Sequence, residues 1–103
     1  MTGSSADRSE QSAEKAVHLL VFGKVQGVFF RSNLKKVCDN AGVMGWVRNK
    51  PDGSVEAILQ GGEDGIRAVL DWSKQGPERA QVSRIETRES DYSSSMKGFE
   101  IVY

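Results

Sequence analysis

The stretch Gly23-Lys24-Val25-Gln26-Gly27-Val28-Phe29-Phe30-Arg31 decides how the rest of the chain is read. An apolar run, Val17 to Phe22, enters it with the character of a strand, and a helical pattern starting at Phe30 leaves it. Two glycines bracket a tight turn, so the segment predicts a strand–loop–helix unit. In such a unit successive backbone N–H groups, a helix N-terminus and the Arg31 guanidinium converge on one point. That is a compact receptor for a phosphoryl group, built without a metal.

The elements on either side complete a pattern. Val17, Leu19 and Val21 alternate with His18, Leu20 and Phe22, and both sets are mostly apolar, which predicts an interior strand covered on at least one face. Beyond the loop, Phe30, Leu34, Val37, Cys38 and Ala41 recur at helical spacing with Lys35, Lys36 and Asp39 opposite, and Asn40 and Gly42 supply the stop. Val43 to Asn49 reads as a second strand. Pro51-Asp52-Gly53 fits a type I turn into a third strand carrying Val55, Ala57 and Leu59, so these two strands form a hairpin.

Gly61-Gly62 breaks that strand. Ile66, Val69, Leu70 and Ser73 mark a second amphipathic helix, expected to end at Gly76-Pro77. In the fourth strand, Val82 to Glu89, the apolar positions Val82 and Ile85 change parity, which predicts a bulge or an irregular edge. Phe99, Ile101 and Tyr103 alternate along a last short strand. The order β-α-β-β-α-β, with a terminal strand added, is the α+β, ferredoxin-like split β-α-β sandwich: two helices on one face of a mainly antiparallel sheet. Trp46, Trp72 and the phenylalanines are expected in its core.

Length and charge bound the function. A chain of 103 residues holds one domain. Residues 1–15 contain little to bury and are expected to form a disordered N-terminal tail, leaving 16–103 as the folded unit. Lysine plus arginine and aspartate plus glutamate each number 14, so there is no net charge to draw nucleic acid or an anionic membrane. The single cysteine, Cys38, suits a reducing compartment. No apolar run reaches membrane-spanning length, and no signal-peptide layout opens the chain.

Within the loop, Arg31 is the principal candidate. In the first turn of a helix a cation opposes the helix dipole by about 0.3–1 kcal/mol, a cost that an anion bound at the same place removes. The amides of Val25, Gln26, Gly27, Val28, Phe29 and Phe30 are the partners expected to surround that anion. The loop is not a nucleotide-hydrolysing P-loop, because Val28 and Phe29 stand where that motif needs Lys and Ser or Thr. Met44 stands six residues after Cys38, so the arginine of a thiol-phosphatase loop is missing. His18 is the only histidine and cannot assemble a metal site alone. Asn49 closes the second strand. Its position alone favours a turn cap; the functional reading is a carboxamide that holds a water molecule beside the phosphate.

Three segments together, Gly23 to Arg31, Gly45-Trp46-Val47-Arg48-Asn49 and Asp52-Gly53-Ser54-Val55-Glu56, closely resemble the acylphosphatase family, of the common type. Gln60-Gly61, Gly76-Pro77 and the closing Phe99-Glu100-Ile101-Val102-Tyr103 extend the likeness over residues 16–103. The resemblance implies a hydrolase acting on acid anhydrides, an acylphosphate phosphohydrolase. It implies that Arg31 binds the substrate phosphate with the loop amides and that Asn49 orients the attacking water. It further implies a cytoplasmic, metal-independent monomer without cofactor, whose partners are a small acyl phosphate and inorganic phosphate as product and competitive inhibitor. Leu34 and Lys50 depart from the family, where many members carry threonine at both places.

Three other readings compete with this one: a non-catalytic phosphate or acyl-phosphate binding module of the same fold, a ferredoxin-like nucleic-acid binder, and a domain of a larger maturation enzyme. Neutral charge and the lack of an aromatic platform argue against the second.

Overall fold

The computed structural model describes residues 14–103; most of the expected tail, residues 1–13, lies outside the described residues. The described chain forms strand β1 (Lys15–Lys24), helix α1 (Phe30–Ala41), strands β2 (Met44–Asn49) and β3 (Val55–Gly61), helix α2 (Glu63–Ser73), and strands β4 (Gln81–Ser90) and β5 (Phe99–Ile101). The five strands make one sheet in the order β4-β1-β3-β2-β5, with β5 parallel to β2 and the other three pairs antiparallel. Each helix therefore connects two parallel strands that hold a third between them. This is the split β-α-β arrangement, twice over and interleaved.

One face of the sheet carries the core. Leu19 and Val21 of β1, Val47 of β2 and Val55, Ala57 and Leu59 of β3 are buried against Phe30, Leu34 and Cys38 of α1 and Ile66 and Val69 of α2. The four-residue spacing of Phe30, Leu34 and Cys38 keeps all three on one side of α1. Among the described residues no helix covers the opposite sheet face, and there His18, Arg48 and Glu56 form a polar cluster. Glu56 accepts from Arg48 Nε at 2.7 Å and shares a hydrogen bond with His18 Nε2 at 2.8 Å.

The parity change in β4 is a bulge. Phe22 pairs with Arg84 but Gly23 pairs with Val82, so Ser83 is the extra residue. Gly23 makes this close approach possible: at φ 123° a Cβ on it would lie 2.2 Å from the Gln81 carbonyl oxygen. Helix α2 stops at Ser73 and is followed by a turn through Gly76, three residues earlier than the Gly76-Pro77 signal suggests. Strand β5 ends at Ile101, so Tyr103 lies beyond it rather than within it.

One expectation about the core is overturned. Phe30 and Phe99 are buried, and Trp72 packs on the core with its ring 5.2 Å from that of Phe30. Phe22 and Trp46, however, are only partly buried and belong neither to the core nor to the side chains packed on it, and Phe29 is 68% exposed. It precedes α1 in the left-handed region, and that backbone turn swings its side chain away from the buried stripe that starts one residue later.

Candidate active site

The sheet register brings the loop and Asn49 together. Val55 at the start of β3 pairs with Val21 on one side and with Asn49 on the other. The ends of β1 and β2 therefore emerge at the same end of the sheet, two strands apart. From β1 the chain enters the loop, and from β2 it enters the Lys50–Gly53 turn, closed by Gly53 N donating to the Lys50 carbonyl at 3.1 Å.

Gln26 joins these two connections. Its side-chain Nε2 donates to the carbonyls of Lys50 at 2.8 Å and Ser54 at 2.9 Å. Sequence reasoning assigned Gln26 only a backbone amide. The side-chain tie was not legible, because its partners lie 24 and 28 residues away.

Val25 and Val28 are buried and fasten the loop to the core, while Gly27 bends it at φ 75° with open space around its Cα. Phe29 has φ 66° and is the only non-glycine residue with positive φ among the described residues. A left-handed conformation costs a residue with a Cβ about 1–2 kcal/mol. Its carbonyl accepts from the Asn33 backbone N–H at 3.2 Å and from Asn33 Nδ2 at 2.8 Å. No loop or turn carbonyl among the described residues accepts from the amides of Gln26, Gly27, Val28, Phe29 or Phe30.

A cavity of about 280 Å³ opens at this place, lined by Val25, Gly27, Phe29, Phe30, Arg31, Ser32, Asn49, Ile101 and Tyr103. Arg31 and Asn49, from different elements, thus face one cavity. None of its lining residues is an aspartate, glutamate, histidine or cysteine. Asn49 Oδ1 is, among the described residues, the one buried side-chain polar atom without a hydrogen-bond partner. Such an atom costs about 1–3 kcal/mol relative to a satisfied one, so it is a rare feature in a folded core. The turn-cap reading of Asn49 required that oxygen to be engaged by the turn, and it is not.

Tyr103 was missed as a site residue. Val47 pairs with Ile101, and Val102 N donates to the Val47 carbonyl at 2.9 Å, so the chain runs on past β5 to the level of Asn49. There the Arg31 guanidinium lies 5.0 Å from the centre of the Tyr103 ring. The α1 residue one turn further on, Lys35, donates to the Phe99 carbonyl at 2.9 Å and pins the helix to β5.

The other reactive groups are remote from this chemistry. Cys38 is buried in the α1 stripe; burial, reinforced by Asp39, pushes its thiol up to about 12, so it stays protonated and unreactive. His18 is engaged by Glu56 on the opposite sheet face.

The acylphosphatase family model matches residues 17–101, which include every residue of the loop and of strands β2 and β3. The chain belongs to the acylphosphatase family. The acylphosphatase of Thiobacillus denitrificans is 45% identical over 86 residues, covering 84% of this chain and 94% of that protein. The crystal structure of acylphosphatase from Bacillus subtilis superposes with a TM-score of 0.83 at 32% identity, over 88% of this chain and 100% of that one. A region of full-length HypF, solved in its phosphate- and nucleotide-bound form, is also similar: TM-score 0.77 and 26% identity, over 88% of this chain but 12% of that one. The family match therefore includes Arg31 and Asn49 but stops short of Tyr103.

Proposed function

We propose that this protein hydrolyses the carboxyl–phosphate bond of acyl phosphates, with residues 16–103 as the working domain. One observation carries the reading: Arg31 and Asn49, whose Oδ1 is unpartnered among the described residues, line a single cavity beside a loop whose Gln26–Phe30 amides find no backbone acceptor among the described residues. Family membership supplies the reaction class.

The phosphoryl oxygens are held by the Arg31 guanidinium and the amides of Val25 to Phe30. The Asn49 carboxamide holds a water molecule and aims it in line with the bridging oxygen. Water attacks phosphorus, the phosphorus–oxygen bond to the acyl group breaks, and the products are a carboxylate and inorganic phosphate. The water proton passes to a phosphoryl oxygen, since no carboxylate or imidazole lines the cavity.

So few groups suffice because of the leaving group. A carboxylate is the conjugate base of an acid of pKa about 4 and departs without a general acid or a metal to carry its charge. A phosphate monoester expels a far more basic alkoxide, and no carboxylic acid or imidazole lines the cavity to protonate it. The charge that develops lies on the equatorial phosphoryl oxygens, and in this reading Arg31 and the loop amides take it up. Asn49 contributes position, converting a diffusing water into a held one.

The remaining features of the proposal follow the family: action as a monomer in the cytoplasm, no metal or cofactor, and inorganic phosphate as a competitive inhibitor. No described helix is long and apolar enough to cross a membrane. The test is hydrolysis of benzoyl phosphate beside p-nitrophenyl phosphate, with and without a chelator. Turnover of the first alone, unaffected by chelator, is expected. Turnover of the second at a similar rate, or inhibition by chelator, overturns the proposal.

A further inference from the structure

We propose that Phe29 and Tyr103 form an acyl subsite at the cavity mouth and that it selects flat, apolar acyl groups. This rests on the acyl phosphate reading above and extends it to the substrate's other end. Only three large apolar or aromatic side chains are exposed among the described residues, and two of them, Phe29 and Tyr103, border this one cavity.

Phe29 is held there against its own preferences. It precedes α1 in a left-handed conformation and makes no side-chain capping hydrogen bond. Asparagine or glycine would suit both the backbone and the helix end better. The ring is also left in water at 68% exposure. Neither folding nor packing accounts for phenylalanine at this place; a bound apolar group would. Tyr103, exposed to 97%, has its ring centre 5.0 Å from the guanidinium carbon of Arg31, the group proposed to take the phosphate.

The chemistry constrains what can lie against them. In an acyl phosphate the carbonyl carbon is bonded to the bridging oxygen, so the acyl group leaves the cavity directly beside the phosphate. Among the described residues that line this cavity Arg31 is the one cation, already committed to the phosphoryl end, so its mouth offers aromatic surface, while Lys36, Glu78 and Arg79 line a neighbouring groove that also borders Phe29. An aromatic acyl group stacks on such surface; an acetyl group is too small to reach it.

The test compares kcat/KM for benzoyl phosphate and acetyl phosphate in the wild-type full-length chain and in Phe29→Asn, Phe29→Tyr and Tyr103→Ala. Both substrates share the phosphoryl end, so any disturbance of the loop amides cancels in their ratio. Asparagine tolerates the left-handed backbone, so Phe29→Asn keeps the fold. The benzoyl-to-acetyl ratio should fall about 3- to 10-fold in Phe29→Asn and in Tyr103→Ala, the range expected for one lost aromatic contact. Phe29→Tyr should restore it. An active wild type whose ratio is unchanged by Phe29→Asn overturns this inference alone. A wild type inert on both substrates overturns the hydrolase reading and the inference with it.

Discussion

The side-chain amide of Gln26 donates to the Lys50 carbonyl across 2.8 Å, and to the Ser54 carbonyl as well, so the loop after β1 and the turn after Asn49 are one mechanical piece. Arg31 sits on one side of that tie and Asn49 on the other. Two neutral hydrogen bonds contribute about 0.5–1.5 kcal/mol each, so Gln26→Ala should lose about 1–3 kcal/mol of stability in urea unfolding. It should also lower kcat by about 10-fold or more, because small displacements of a held reactant are costly. Gln26→Glu should be worse than Gln26→Ala, since a carboxylate would face two carbonyl oxygens. A glutamate variant as stable as wild type would show that the tie is not made.

Asn49→Ala separates positioning from folding. Its Oδ1 has no partner among the described residues, so the substitution removes no hydrogen bond of that oxygen. Stability should stay level or rise by up to about 1 kcal/mol, while turnover falls by about 10²-fold. Inhibition by inorganic phosphate should persist, because Arg31 and the loop are untouched. Full activity in a folded Asn49→Ala protein would remove the water-holding role.

The elements were legible in the sequence because each has its own local cause. The spacing of Phe30, Leu34 and Cys38 gives α1, Pro51 and Gly53 give the turn, and the parity change between Val82 and Ile85 gives the bulge found at Ser83. The loop arginine was legible for the same reason. Asn49 was named as a candidate from its position and the family resemblance, but the reason it lies by the loop depends on register. Asn49 reaches the loop only because Val55 pairs with both Val21 and Asn49, a relation that no local pattern states. The Gln26 tie and the place of Tyr103 depend on that same register. Phe29 was misassigned to the core because hydrophobicity predicts burial, and the positive φ that turns the ring outward leaves no mark on a phenylalanine.

Acid should weaken the sheet face opposite the site first. Burial raises the Glu56 carboxyl, but hydrogen bonds from His18 and Arg48, with their charges, outweigh it and leave the group below the ordinary carboxylate range. Only 14% of that side chain is exposed. Because the folded value is the lower one, this contribution is complete above the unfolded pKa of about 4.3. It is lost as pH falls through the folded value. Melting temperature should therefore fall with pH below about 4.5 in the wild type. Glu56→Gln should be less stable at pH 7 and show a flatter acid limb. Parallel acid limbs for the two proteins would deny Glu56 this role.

Arg31→Ala should leave stability nearly unchanged and remove function. The cation in the first turn of α1 opposes the helix dipole by about 0.3–1 kcal/mol, and its contact with the exposed Tyr103 ring returns about 0.5–1 kcal/mol. These terms cancel, so the melting temperature should move little. The rate has no such compensation. Losing one preorganised donor costs about 10²–10³-fold, and here a charge goes with it, so kcat/KM should fall by at least that much. Arg31→Lys keeps the charge but not the planar fork and should recover only part of the loss. Inorganic phosphate should raise the melting temperature of the wild type and of Asn49→Ala but not of Arg31→Ala. Phosphate stabilisation that survives Arg31→Ala would place the anion somewhere other than this cavity.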